Sequence, residues 1–300
     1  MKGVISHGKK IAVAAAIAGL LAGCATGPVK RSYTYDHSHS RAYNLVKASY
    51  LSGSIGLEDT KTGKEVYRPQ GLAGMIMALG AFNYFSLDSG LVDAAATIST
   101  ASTLKYPTQH PILAAWMPAN GNLDDEERAI HDFEALVDRN IQKTADELGL
   151  QLGPKKDHKE VGVAKNFDEA DGYTLYAQSV HDDKYCIKDG QCYILTYYFR
   201  PYPSQYSPSF LKEPTAPNNW WFQSWMTLDY QPLVFFAATA PKGGKPYPTK
   251  LFYEQFTSNM PGWSFVFMPE KQVIDENGQL LEYPVVFEKG EMLLFKKPAS

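Results

Sequence analysis

The spacing of apolar residues changes once along this chain, across the polar and charged run Pro154–Glu160, and that change limits the fold more than any other feature. Before it, Ile130, Phe133, Leu136, Val137, Ile141, Ala145 and Leu148 recur at steps of three and four, the pattern of an amphipathic helix. Asn122 is placed to cap that helix. Asp124, Asp125, Glu126 and Glu127 fill its first turn, where the helix dipole favours anions, and Gly149 can close it. After the change, strand-like runs cover Tyr173–Val180, Tyr185–Phe199, Leu228–Ala237 and Trp263–Met268. Asn277-Gly278 is a hairpin signal, and Glu288-Lys289-Gly290-Glu291 joins Pro284–Phe287 to Met292–Phe295. The expected fold is α+β, a helical N-terminal half packed on a mainly antiparallel β-sheet C-terminal half. Residues 41–300 read as a single domain, helical over about 41–150 and β-rich over about 160–300.

Smaller features fit this plan. Ala42–Leu51 can form a short helix with Leu45 and Val46 inward. Gly71–Leu104 is rich in Ala, Gly and Ser and is divided by Asp88-Ser89-Gly90. It reads as a close-packed helical hairpin with Gly74 and Ala78 on one face, and neither half reaches the roughly 20 apolar residues of a membrane span. Pro107, Pro111 and Pro118 break the next stretch and leave Ile112, Leu113 and Trp116 as plugs in the core. Thr249 is placed to cap a short helix with Leu251, Phe252 and Phe256 on one side, ended by Pro261-Gly262. Thr62-Gly63-Lys64 is not a phosphate loop, because Glu65 stands where Ser or Thr belongs and no apolar strand leads in.

Ahead of this body lie Lys2, Lys9 and Lys10, then the apolar run Ile11–Leu21, with no acid before Asp36. The run has the length of a secretory signal core and is too short to cross a bilayer. It ends in Leu21-Ala22-Gly23-Cys24. This segment resembles the lipobox signal of bacterial lipoproteins, over residues 1–24 only. The resemblance implies cleavage before Cys24, diacylation of its thiol with palmitate-class chains and acylation of the new amine. Ala25 in place of Asp implies an outer-membrane destination in enteric-type bacteria. Two or three chains anchor firmly, since each buried CH₂ contributes about 0.8 kcal/mol. Residues 1–23 are therefore expected to be a signal peptide and 24–40 a flexible tether. The tether's Asp36-His37-Ser38-His39 reads as exposed linker rather than as a metal site, with no third ligand nearby.

Charge and chemistry narrow the function. Of 300 residues, 44% are hydrophobic and 20% charged, enough to bury a core. The formal charge of −3 becomes −6 once residues 1–23, with three Lys and no acid, are removed. Such a body has no basic field for nucleic acid. The other two cysteines, Cys186 and Cys192, flank Lys188-Asp189-Gly190. A two-residue Asp-Gly turn sets Cys186 opposite Tyr193, whereas a three-residue loop with left-handed Gly190 sets it opposite Cys192. The second register allows a disulfide in the oxidising compartment that the export signal supplies, with a gain of about 2–2.5 kcal/mol in the chain-entropy model.

Arg200–Asn219 holds five prolines among aromatics and reads as a long loop, followed by Trp220-Trp221-Phe222 and Trp225. Tyr202, Tyr206, Trp220, Trp221 and Trp225 are candidate ligand-binding residues for a glycan, peptidoglycan or lipid, with burial of alternate tryptophans in the β core as the plainer reading. No nucleophile elbow, zinc-spaced cluster or dinucleotide fingerprint occurs, so no cofactor or metal is expected. His181-Asp182-Asp183 is a turn cluster that serves acid–base work only inside a closed pocket. The expected function is a lipid-anchored periplasmic binding or assembly factor for an envelope protein partner at the outer membrane. The alternatives are a glycan- or lipid-binding module and a hydrolase with an unrecognised site.

Overall fold

Helices and short strands alternate along the chain. In a computed structural model the described residues are 33–49, 57–65, 112–119, 125–157, 176–181, 193–197, 200–204, 208, 210–211, 219–223, 236–238 and 247–299. All belong to one unit, Tyr33–Ser300. The elements are α1 (Arg41–Ala48), β1 (Ile112–Pro118), α2 (Glu126–Leu148), β2 (Gln151–Leu152), β3 (Lys156–Asp157), β4 (Tyr176–His181), β5 (Tyr193–Tyr197), β6 (Arg200–Ser204), β7 (Asn219–Gln223), β8 (Phe236–Ala238), α3 (Thr249–Asn259), β9 (Ser264–Met268), β10 (Val285–Glu288) and β11 (Glu291–Leu294). The fold is mixed α+β. Its strands form a six-stranded sheet in the order β11-β10-β9-β1-β7-β6 and a five-stranded sheet in which β2-β4-β5-β8 is joined by β3 on β4. Every ladder within these sheets is antiparallel.

Strands β1, β9 and β10 of the six-stranded sheet are buried on both faces. Leu113 and Ala115 of β1, Val266 and Met268 of β9, and Val285 and Phe287 of β10 join one core with α2 and α3. Ile112, Ala114 and Trp116, with Phe265, Phe267 and Val286, join a second core with Ala42, Leu45 and Val46 of α1. A strand sandwiched in this way is apolar throughout and shows no alternation. That is why the first half of the chain, expected to be helical, also supplies β1, the strand between β7 and β9. Ile112–Pro118 is a strand rather than broken loop, and Ile112, Leu113 and Trp116 do lie in the core, at 3%, 1% and 1% exposure.

Helix α2 follows the apolar stripe. Phe133, Val137, Ile141 and Ala145 are fully buried, and the Phe133 ring stacks on Phe222 of β7 at 4.1 Å. The cap differs from expectation: Asp125, not Asn122, accepts from the Arg128 amide at 2.9 Å. Gly149 closes the helix in the left-handed conformation. In α3 the buried side is Thr249, Phe252, Tyr253, Phe256 and Thr257, while Leu251 is 38% exposed. Thr249 does not cap the helix; its hydroxyl accepts from the Ile274 amide at 2.9 Å. The two helices join through Asn259, which donates to Thr144 at 3.1 Å and to Glu147 at 2.7 Å.

Both expected C-terminal hairpins form. Ile274 bridges Leu280 across the Asn277-Gly278 turn, and β10–β11 turn through Lys289 and Gly290, both at positive φ, the type I′ geometry. The proline-rich run after Phe199 begins as strand β6 rather than loop. Among the described residues it pairs only with β7 and lies at a sheet edge, a position that accommodates prolines such as Pro201 and Pro203. Strand β5 pairs with β4 and β8, with Tyr193 opposite Val180 and Ala238; the Tyr185–Ile187 run expected beside it lies outside the described residues. The Gly71–Leu104 hairpin and most of Leu228–Ala237 lie outside the described residues.

Segment 57–65 crosses the end of the six-stranded sheet. Its Thr60 amide donates to the Phe295 carbonyl at 2.8 Å and its carbonyl accepts from Lys297 at 2.9 Å. Gly63 has φ +73°, and a Cβ there would stand 2.9 Å from both the Leu294 and Lys296 Cβ atoms. Gly149 has φ +67° and open space around it. Left-handed backbone costs an L-residue about 1–2 kcal/mol, and a steric clash adds about 1–3 kcal/mol. Gly149→Ala is therefore expected to lose only the first amount and Gly63→Ala clearly more, as measured by denaturant unfolding; equal losses contradict the close approach of Gly63.

Candidate functional site: the N-terminal clasp

The densest polar network among the described residues lies where the chain enters the body. Asn44, on the first helical turns of α1, is fully buried. Its Oδ1 accepts from the Asp36 amide at 2.7 Å and from the Tyr33 hydroxyl at 2.9 Å. Its Nδ2 faces three carbonyls, those of Ser40 at 2.8 Å, Asp36 at 3.0 Å and His39 at 3.3 Å. One side chain thus ties down the backbone from Asp36 to Ser40. A short amide fits because it offers both donors and an acceptor at one point.

Asp59 forms the second half of the clasp. Its carboxylate is buried and accepts from the Ser40 amide at 2.6 Å and the Ser40 hydroxyl at 2.5 Å. His39 Nδ1 lies 3.1 Å from the same carboxylate. Since a carboxylate only accepts, this contact holds a proton on Nδ1. Ser40 also caps α1, its hydroxyl accepting from the Tyr43 amide at 3.1 Å. The His39 ring stacks on Tyr43 at 4.0 Å, and its Nε2 faces Asp36 at 4.0 Å. Bonds from the Ser38 hydroxyl and amide hold the Asp36 carboxyl below its ordinary value. Burial, with smaller effects from Tyr43 and Asp36, pushes the Tyr33 hydroxyl up to about 12, so it remains a donor to Asn44.

Around the clasp, Phe210 packs edge-on against Tyr33 at 6.2 Å and Tyr35 at 5.0 Å. The Arg41 guanidinium lies 5.8 Å from the Phe210 ring centre. Arg41 forks onto the carboxylate of Glu288 on β10, through Nε to Oε2 and Nη2 to Oε1, the latter at 2.6 Å. Glu288 is only 4% exposed, and a buried carboxylate of this kind depends on its cation. Lys47 lies 5.3 Å over the Tyr43 ring, and burial lowers its ammonium pKa.

The structure therefore moves the end of the expected tether: residues 33–40 are part of the folded body, because Asn44 and Asp59 bond their backbone. Sequence reasoning missed this, although Asp36-His37-Ser38-His39 was in view. Among the described residues no group of three or more His, Cys, Asp or Glu side chains is arranged to hold a metal ion, and no helix is long and apolar enough to cross a membrane.

The residues singled out from sequence scatter. Cys24, Cys186, Cys192, Tyr206 and Trp225 lie outside the described residues, as do Asp182 and Asp183. Trp220, a ligand-binding candidate, is 3% exposed and sits in the core with Phe222, because alternate residues of β7 face α2. Trp221 stands opposite both Tyr202 of β6 and Trp116 of β1 in the ladders. His181 ends β4 opposite Gln151, and His131 is exposed on α2, 3.9 Å from Asp132.

On segment 57–65 the hydroxyls of Thr60 and Thr62 both donate to Glu65, the latter at 2.6 Å. These bonds lower the Glu65 carboxyl from 4.5 to about 2.

No protein-family model, curated protein or solved structure matches the chain.

Two outcomes follow from this geometry. Asn44→Asp puts an oxygen against three carbonyls and should cost about 2 kcal/mol or more in unfolding free energy, whereas Ser38→Ala, at the exposed end, should cost under about 1 kcal/mol. The depressed Glu65 carboxyl binds protons more weakly folded than unfolded, so its contribution is complete above pH 4.5 and is lost as pH falls through about 2. The protection factor of the Gly63 amide, its exchange taken relative to the intrinsic rate at each pH, should fall over that window in the native protein and stay level in Glu65→Gln; a window unchanged by the substitution assigns the effect elsewhere.

Proposed function

We propose that the chain is a lipid-anchored envelope lipoprotein whose body holds a protein partner at the outer membrane. The observation that carries this reading is Leu21-Ala22-Gly23-Cys24 directly behind a Lys-flanked apolar run. Ala25 favours the outer membrane over the inner, and acyl chains rather than charge make the attachment, since the body is acidic. The part of the chain left free to act is then the α+β body. Within the same proposal, the helical reading of Gly71–Leu104 completes a helical component in the first half, with Gly74 and Ala78 allowing another helix to pack closely. A Cys186–Cys192 disulfide fits the oxidising compartment that this address implies.

The address and the partner have separate tests. Cells fed labelled palmitate should incorporate it into the native protein and not into Cys24→Ala, which should also leave the membrane fraction; label retained by the variant overturns the anchor. Cross-linking in intact cells should join the body to an envelope protein in reproducible stoichiometry. Recovery of the protein alone overturns the partner reading while leaving the anchor standing.

A further inference from the structure

We infer that the clasp gives the lipid anchor a short leash, which holds the α1 side of the body towards the lipid surface and turns the α2–α3 layer away from it. The inference rests on acylation of Cys24. Its independent support is that the body begins at Tyr33, not beyond Ser40. Tyr33 bonds Asn44 and packs on Phe210, and Asp36 is tied through its backbone. Eight residues, 25–32, separate Cys24 from Tyr33, and the nine steps from one to the other reach at most about 32 Å when fully extended. A folded unit of about 270 residues has a radius of gyration near 18 Å and is about 45 Å across. The leash is therefore shorter than the body it holds, and the surface beside its exit point stays within one leash length of the bilayer.

That surface is defined by the two cores. Helix α1 and Leu57 cover one face of the six-stranded sheet, and α2 and α3 cover the other. Tyr33, His39 and Asp59 all lie at the α1 side, so the leash leaves there. The exposed face of α2, including Arg128, His131 and Asp132, lies beyond a sheet and a helix layer from the exit. This face is then the one presented to a protein partner, and the clasp side is the one denied to it.

The test uses the full-length protein, purified with its acyl chains and reconstituted in phospholipid vesicles carrying a headgroup energy acceptor. A fluorescent amino acid replaces either Glu58, exposed beside the clasp, or His131, 82% exposed on α2. Energy transfer should be several-fold higher from position 58 than from position 131. Inserting twelve Gly/Ser residues after Gly27 should bring the two close to equal. Equal transfer without the insertion, stronger transfer from 131, or a difference that survives the insertion overturns the short leash. The mass of the N-terminal peptide from the same preparation separates the two ideas. An unacylated Cys24 overturns the anchor and this inference with it, whereas an acylated Cys24 with equal transfer overturns the orientation alone.

Discussion

The body depends on β1 being covered on both faces and paired on both edges. Its seven residues lie between β7 and β9, more than a hundred residues further along the chain. Leu113 and Ala115 face the α2–α3 core while Ile112, Ala114 and Trp116 face the α1 core. Neither core closes without it. The sheet cannot be built by successive hairpins from one end, since its centre comes from the first half and its flanks from the second. Such non-local pairing costs loop-closure entropy before it yields contacts. It also means that the helical and β-rich parts of the chain are not separable units.

What was legible in the sequence follows from where each element sits. Helix α2 faces a core on one side and water on the other, so its stripe, its acidic first turn and Gly149 were all readable. The β10–β11 hairpin carries its own turn chemistry at Lys289-Gly290. Strand β1 has no wet face, and its flanking prolines looked like breaks, so its apolar run gave no period to read. Strand β6 was hidden by Pro201 and Pro203, residues that an edge accepts. The clasp was invisible for another reason: Asn44 and Asp59 are polar residues of kinds usually exposed, and spacing cannot announce that they are buried among donors and carbonyls. Trp220 was open to two readings, a ligand contact or burial of alternate tryptophans, and the alternation along β7 places it in the core as the plainer of the two had it.

The buried polar groups of the clasp are better understood as specifying a path than as supplying stability. A buried amide or carboxylate gains little over its hydration when fully bonded and loses much when a partner is missing. Asn44, Asp59 and Glu288 are each fully engaged, by the entering backbone, by Ser40 and His39, and by Arg41. An alternative route for residues 33–40 strands two of these groups in an apolar setting. The network therefore favours one entry point over others by several bonds at once.

The position of Asp59 and Thr60 extends this from entry point to anchorage. Asp59 bonds the clasp through Ser40 and His39, while the adjacent Thr60 bonds the backbone of Phe295 and Lys297. Arg41, one residue past Ser40, reaches Glu288 at the other end of the β10–β11 hairpin. The entering chain is thus joined to that hairpin at both ends, through the neighbouring residues Ser40 and Arg41 on one side and Asp59 and Thr60 on the other. A pull on Tyr33 would load Asn44, then α1, and then both strands of the hairpin in parallel, rather than peeling one strand from an edge. Because β10 pairs with β9, and β9 with β1, the load passes to the centre of the sheet.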